Sequence, residues 1–196
     1  MMTVAQQFLP RIRRDEPMSR HTSWHAGGAA EIYFEPRDRA DLRSFLGTVP
    51  AGTPIHFLGL GSNLLVRDGG IRGVVVATQG ALPRLERIDA TTVYGEAGVP
   101  CALIARQCIQ WQLGGAEFFA GIPGTLGGAL AMNAGAFGDE TWRHVIAVET
   151  ISRNGQRRTR PAAEYRVGYR EVALAATAPA ATVTGPAHAE WFLGAE

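Results

Sequence analysis

The residues best placed to do chemistry in this sequence carry almost no side chain. Gly59-Leu60-Gly61-Ser62-Asn63-Leu64 falls at the join of two apolar runs, "PIHFLGL" and "GVVVAT", and puts nearly bare main chain between them. Glycine tolerates left-handed backbone and lets a ligand approach closely. Successive residues of alternating hand can aim several N–H groups into one concavity, which suits phosphate oxygens. Ser62 and Asn63 add short hydrogen-bonding groups. A plain tight turn is the simpler reading of the same residues. The pattern is not the G-x-G-x-x-G fingerprint, because Asn63-Leu64 stand where its third glycine belongs and a strand, not a helix, follows.

A second glycine-rich stretch, "AGIPGTLGGALAMNAGAFG" over residues 120–138, repeats the signal. Gly121-Ile122-Pro123-Gly124-Thr125 can form another backbone cradle. Gly127 and Gly128 remove bulk beyond it, and Asn133-Ala134-Gly135 continues a thin, nearly neutral surface. Close helix packing through small residues is the alternative. Two bare segments in one small protein fit a long ligand with a charged middle and a flat apolar end, the shape of a dinucleotide. All 19 basic residues are arginine. The absence of lysine excludes a G-x-x-x-x-G-K phosphate loop, a Schiff-base lysine and a kinase-type nucleotide lysine together. Phosphate here must be held by backbone amides or arginine.

The elements that must position these residues are of both kinds. "AAEIYFEP" (29–36) predicts a strand and "DRADLRSFL" (38–46) a helix capped by Asp38, with Leu42, Phe45 and Leu46 on one face. The two apolar runs around the first glycine segment predict buried strands. "TTVYGEAG" (91–98) predicts another. Pro100 opens a helix bearing Leu103, Ile104, Cys108 and Trp111, which Gly114-Gly115 ends. "VIAVETISRNGQRRTR" (145–160) predicts a hairpin with a type I′ turn at Asn154-Gly155. The stretch from Ala173 to Ala189 reads as a loop and "AEWFLGAE" as a strand. The resulting class is α+β, with one subdomain over 1–80 and a second over 81–196.

At 196 residues, 46% apolar and 19% charged, the chain has the composition of an ordinary globular protein. A net charge of +1 argues against nucleic acid or an acidic membrane as the main partner. "RNGQRRTR" is then a solvated edge. No run approaches the roughly 18 apolar residues of a membrane span, and the N-terminus lacks the order of a secretory signal, so a cytoplasmic location is expected. Cys101 and Cys108, on one helix at ~1.5 Å rise per residue, stand about 10 Å apart, too far for a disulfide. They read as free core thiols. The five histidines show no metal-ligand spacing, and no metal is expected.

"HTSWHAGGAAEIYFEP", "LGLGSNLLVRDGGIRGVVV", "GAEFFAGIPGTLGGALAMNAGAFG" and "GYRE" occur in this order. Together they strongly resemble the UDP-N-acetylenolpyruvoylglucosamine reductase family, from about Arg20 onward. The resemblance implies the FAD-binding fold of the vanillyl-alcohol oxidase (PCMH) type, with FAD between two α+β subdomains. Gly59 to Leu64 would hold the pyrophosphate. Gly121 to Thr125, with Gly128, Asn133, Ala134 and Gly135, would line the cofactor towards its ring. It also implies NADPH as co-substrate, a UDP-sugar as substrate and a place in peptidoglycan synthesis. Of the two Tyr-Arg pairs, Tyr165-Arg166 and Tyr169-Arg170, the second lies in the family's Gly-Tyr-Arg motif. Tyr169 and Arg170 are therefore implied at the substrate, with Arg170 stabilising charge that develops on its carboxylate. A surface arginine stacked on tyrosine is the bland alternative.

Two departures accompany the resemblance. Val172 stands where the family usually has serine, and the Gly-Ser-x-Phe segment that carries the family's general acid does not occur. The expectation is an FAD-binding portion whose C-terminal substrate domain is missing or separately encoded, which binds FAD without turning over alone. The competing expectations are an oxidase of the same fold with another substrate, and a nucleotide-binding module of that fold without the reaction.

Overall fold

The structure, a computed structural model, describes residues 6–175 and 190–196. Two sheets organise it. The first is built from β1 (Ile12–Pro17), β2 (Ala29–Phe34), β3 (Ile55–Leu58) and β4 (Ile71–Ala77), in the order β1-β2-β4-β3. β2 and β3 both run parallel to β4, and β1 pairs antiparallel with β2. β4 is buried continuously from Gly73 to Ala77, as a parallel strand covered on both faces should be. Helix α1 (Arg39–Leu46) covers one face. The Asp38 carboxylate caps it by accepting from the Asp41 N–H at 2.8 Å, a bond worth about 1 kcal/mol. Leu42, Phe45 and Leu46 enter the core, where Phe45 stacks on Phe34 with ring centres 3.7 Å apart and Phe8 stands edge-on to both. Met18, Tyr33, Leu58, Val66, Val75 and Ala77 form a smaller core on the opposite face.

The second sheet comes from β5 (Leu85–Arg87), β6 (Val93–Glu96), β9 (Ala147–Ser152), β10 (Arg157–Pro161) and β13 (Glu190–Ala195), in the order β10-β9-β13-β6-β5 with every pairing antiparallel. Between β6 and β9 lie α2 (Cys101–Gln110), α3 (Leu126–Met132) and the two short strands β7 (Gly135–Ala136) and β8 (Asp139–Glu140). β11 (Tyr165–Gly168) and β12 (Glu171–Leu174) form a separate hairpin. α2, α3, Phe118, Ile122 and Trp142 make a core with Val148 and Ala195. The first core also takes in Ala97, Ile151 and Leu193, and Trp191 stacks on Phe57 at 5.1 Å, so the back of the second sheet packs on the α1 side of the first.

The α+β class and the helix at 39–46 are as expected. The N-terminal arm, for which the sequence predicts no element, contains strand β1, made by backbone pairing with β2 although its residues do not alternate cleanly. Three local expectations are corrected. α2 stops at Gln110, before the glycines: Gln112 takes the left-handed conformation at φ +59° and the Leu113 N–H bonds back to the Cys108 carbonyl. The 147–161 hairpin does not turn in type I′. Ser152 and Gln156 close a three-residue loop in which only Gly155 is left-handed, and the Asn154 side chain is occupied with the Ser152 hydroxyl. Ala173 and Leu174 complete β12 rather than opening a loop; the rest of that expectation, 176–189, lies outside the described residues. Cys101 and Cys108 are free and buried, and burial pushes the Cys101 thiol up to about 12. The basic hairpin is charge-paired: Arg157 with Glu149, and Arg158 and Arg160 with Glu190. Among the described residues no helix is long and apolar enough to cross a membrane, and no group of three or more His, Cys, Asp or Glu is arranged to hold a metal ion.

Candidate functional site: two glycine segments that meet at Thr125

The first glycine segment leaves the carboxyl end of β3, where ligands of parallel α/β sheets bind. Gly61 is its left-handed residue, at φ +66°, and a Cβ there would lie 1.9 Å from the His21 carbonyl oxygen. Backbone hand and space both demand glycine. The Ser23 N–H donates to the Gly61 carbonyl at 3.1 Å and ties the loop down. Its own donors are not used: among the described residues no oxygen accepts from the N–H of Gly59, Leu60, Gly61, Ser62 or Asn63. Leu64 packs its side chain against the core beneath.

The second segment is held from below. The Cys101 N–H donates to the Gly124 carbonyl at 2.9 Å, and Leu126 and Gly127 donate to the carbonyls of Val99 and Ala97 at 2.8 Å each. These bonds fasten the start of α3 to the connection between β6 and α2. Gly127 closes on Ala97, so part of this stretch does serve close packing.

The two segments meet. A Cβ on Gly59 would come within 2.3 Å of Thr125 Oγ1, and one on Gly124 within 3.6 Å of Ser62 Oγ. Thr125 is 1% exposed, and its hydroxyl has no hydrogen-bond partner among the described residues. A buried hydroxyl left unpaired costs about 1–3 kcal/mol, and such groups in native proteins call for an explanation. Beside it, the side-chain position of Gly128 is open except for that same hydroxyl, 3.9 Å away. Idle amides on one wall and an idle hydroxyl on the other are what a diphosphate requires. The FAD implied by the resemblance fits the residues present.

The remaining predicted residues divide. Ile122 is core, Pro123 is exposed, and Gly121 lies under Ala136 and Phe137. Asn133 ends α3 in the left-handed conformation and is 7% exposed. Its Oδ1 accepts from the Trp142 N–H at 3.1 Å and its Nδ2 donates to the Gly168 carbonyl at 3.4 Å. The Ala134 carbonyl accepts from both the N–H and the hydroxyl of Thr141, and Gly135 pairs with Glu140. These three are therefore occupied with the protein itself, and Asn133 links α3 to the hairpin tip. Tyr169 and Arg170 form that tip, with Tyr169 91% exposed and Arg170 left-handed at φ +56°. Arg166 pairs with Glu171 at 3.0 Å, whereas Arg170 has no carboxylate partner among the described residues and lies 5.9 Å from the Tyr169 ring centre.

Sequence reasoning missed one cavity. It measures ≈ 450 Å³ and is lined by Arg20, His21, Tyr33, Glu35, Gly59 and Gln79, among others. His21 stacks on Tyr33 with ring centres 4.2 Å apart and bonds the buried Glu16 carboxylate at 2.8 Å. Burial pushes the Tyr33 hydroxyl up to about 12. Glu35, Gly59 and Gln79 each stand just past a parallel strand end, and that position was the available signal.

The profile of the FAD binding domain family matches residues 30–159. The chain is 52% identical, over its whole length, to the UDP-N-acetylenolpyruvoylglucosamine reductase of Alkalilimnicola ehrlichii, of which it spans 61%. It is 51% identical over 92% of its length to the same-named protein of Methylococcus capsulatus, of which it spans 56%. Among solved structures, it matches the UDP-N-acetylenolpyruvylglucosamine reductase of Thermus caldophilus with a TM-score of 0.72 and 26% identity, over 94% of this chain and 60% of that one. An alkyldihydroxyacetonephosphate synthase shares the fold at a TM-score of 0.56 and 15% identity, over 85% of this chain and 33% of that one. The chain thus spans little more than half of the curated relatives it matches. With the idle donors at Gly59–Asn63 and Thr125 and this match across most of the sequence, the chain belongs to the FAD binding domain family.

Proposed function

We propose that the chain binds FAD by its diphosphate between Gly59–Asn63 and Thr125. We propose it as the FAD-binding portion of an enzyme that reduces UDP-N-acetylenolpyruvoylglucosamine to UDP-N-acetylmuramate with NADPH, in cytoplasmic peptidoglycan synthesis. The observation that carries the reading is the pair of donor sets without partners among the described residues on adjoining segments, the five N–H groups of the first segment and the buried Thr125 hydroxyl beside Gly59. FAD, when bound, supplies the acceptance and delivery of hydride; position and charge come from the protein.

The donors do the first part of that work. Amide N–H groups aimed at anionic oxygens bind them without a lysine, in keeping with a chain whose basic residues are all arginine. Gly124 and Gly128, having no side chains, let a cofactor lie flat beyond Thr125. The proposed subdomain boundary near residue 80 falls between the two sheets, so the cofactor would bridge them. Arg170 has the second task. Hydride addition to an unsaturated carboxylate places negative charge on the carboxylate side, and a guanidinium stays protonated and can bind both its oxygens. Arg170, exposed and without a carboxylate partner among the described residues, is available for this, whereas Arg166 is held by Glu171.

The test is spectroscopic. Titration with FAD should quench flavin fluorescence to a one-to-one end point, and the photoreduced complex should be reoxidised on adding the enolpyruvyl sugar nucleotide. Flavin binding without reoxidation would leave the family assignment and remove the substrate assignment.

A further inference from the structure

The two sheets are joined by one charged cluster that the site described above does not use. Arg39, the first residue of α1, lies with its Nε 2.5 Å from Glu96 Oε1 and donates from Nη1 to Glu149 Oε2 at 2.6 Å. Its Nη2 donates to the Tyr94 hydroxyl, which itself donates to Glu149 Oε2 at 3.0 Å. The side chains of Arg39, Glu96 and Glu149 are only 22%, 7% and 19% exposed. Gly194 in β13 makes room, since a Cβ there would sit 2.5 Å from the Tyr94 hydroxyl. Burial works against the guanidinium's charge, but Tyr94 and the two carboxylates outweigh it and hold the Arg39 pKa above its ordinary value.

The position of Glu96 matters more than its charge. It is the last residue of β6, and its other oxygen accepts from the Arg84 N–H at 2.9 Å. The next residues carry the second glycine segment: the Ala97 carbonyl accepts from Gly127 and the Val99 carbonyl from Leu126. α1 packs beneath the sheet from which the first segment emerges. A buried ion pair adds little net stability over well-packed apolar residues, but it fixes direction, because a guanidinium bonded to Glu149 and charge-paired with Glu96, to which its Nε is not aligned for a hydrogen bond, can meet both in few orientations. We propose that Arg39 is a positioning residue for the diphosphate cleft, setting the spacing between Gly59–Asn63 and Thr125 by fastening α1 to the strand end that carries Thr125. The inference rests on the FAD-binding reading.

The experiment compares wild type, Arg39→Met and the triple variant Arg39→Met/Glu96→Gln/Glu149→Gln. The single change leaves the Glu96 carboxylate with the Arg84 N–H and Glu149 with Arg157 and the Tyr94 hydroxyl, and the loss of the cation between them should lower stability, whereas the triple change removes the charges together. For each, the measurements are the urea midpoint without flavin, the FAD dissociation constant and the visible circular dichroism of bound flavin. The triple variant should recover most of the stability lost in Arg39→Met. Its FAD binding should remain weaker by roughly tenfold, in the range of ordinary coupling between sites, with an altered flavin dichroism. A merely structural cluster would restore affinity and dichroism along with stability, and that result overturns the proposal. Should the triple variant not fold, Glu96→Gln alone, which keeps the Arg39–Glu149 pair, should still weaken FAD binding and alter the flavin dichroism; unchanged values overturn the proposal. Wild-type protein that binds no FAD overturns the flavin reading and the clamp with it; wild-type binding with an unchanged triple variant overturns the clamp alone.

Discussion

Thr125→Val should make the flavin-free protein more stable and its FAD complex weaker, two effects of opposite sign from one atom. The hydroxyl is buried with no partner among the described residues. A methyl of nearly the same shape removes an unsatisfied polar group whose burial costs about 1–3 kcal/mol. Repacking around the slightly larger methyl offsets part of this, so a gain of about 1 kcal/mol in urea unfolding is expected. In the proposed complex the same hydroxyl would donate to a charged oxygen, and such a bond is worth about 1.5–3 kcal/mol. Its loss should raise the FAD dissociation constant roughly ten- to a hundredfold. Thr125→Ser serves as the control. It keeps the donor and deletes one buried methyl, so affinity should stay near wild type while stability falls by about 1 kcal/mol. Equilibrium unfolding and flavin fluorescence titration on the three proteins give both quantities. A valine variant that is less stable and binds FAD normally would show that the hydroxyl points at nothing, and the argument from its isolation would fail.

Other substitutions probe other parts of the account. Gly61→Ala must place a Cβ against the His21 carbonyl at a left-handed φ, so it should cost about 3 kcal/mol or more in unfolding experiments and abolish flavin uptake. Arg170→Ala, at an exposed hairpin tip, should shift stability by no more than about 0.5 kcal/mol and leave FAD binding intact. The same variant should eliminate reoxidation of the reduced flavin by the enolpyruvyl substrate. Glu190 ties β13 to β10 and β9, accepting from Arg160 at 2.7 and 2.8 Å and from the Thr150 hydroxyl at 2.8 Å. The Arg160 bonds, against the opposing effect of burial, hold its pKa below the ordinary glutamate value. A lowered folded pKa contributes stability that is complete above the unfolded value and lost as pH falls through the folded one. The melting temperature of wild type should therefore decline more steeply than that of Glu190→Gln as the pH drops below the ordinary glutamate range. Parallel declines would show that the ion pair contributes nothing.

What could be read from the sequence was local. The helix at 39–46 has its cap and its apolar face within nine residues, and β4 is an unbroken apolar run, so both declare themselves. The glycine segments are visible for the same reason: missing side chains are a sequence fact. Their meeting is not, because Gly59 and Thr125 are brought together by strands paired across the whole chain. The central place of β13, between β6 and β9, is equally invisible to periodicity, which gives a strand's faces and not its neighbours. Asn133 shows the converse limit. Its motif placed it along the cofactor, but nothing in the sequence announced its left-handed backbone or its bonds to Trp142 and Gly168. Arg39 gave no signal, since one arginine among 19 is unremarkable until Glu96 and Glu149 are seen on either side of it.

The most direct measurement is to incubate the purified protein with FAD or with riboflavin at equal concentration and pass each mixture through a desalting column. If the glycine amides and the Thr125 hydroxyl grip the diphosphate, FAD should travel with the protein at one equivalent and riboflavin, which lacks those oxygens, should be left behind. Protein that emerges colourless from both mixtures, or that retains both flavins equally, would contradict the account.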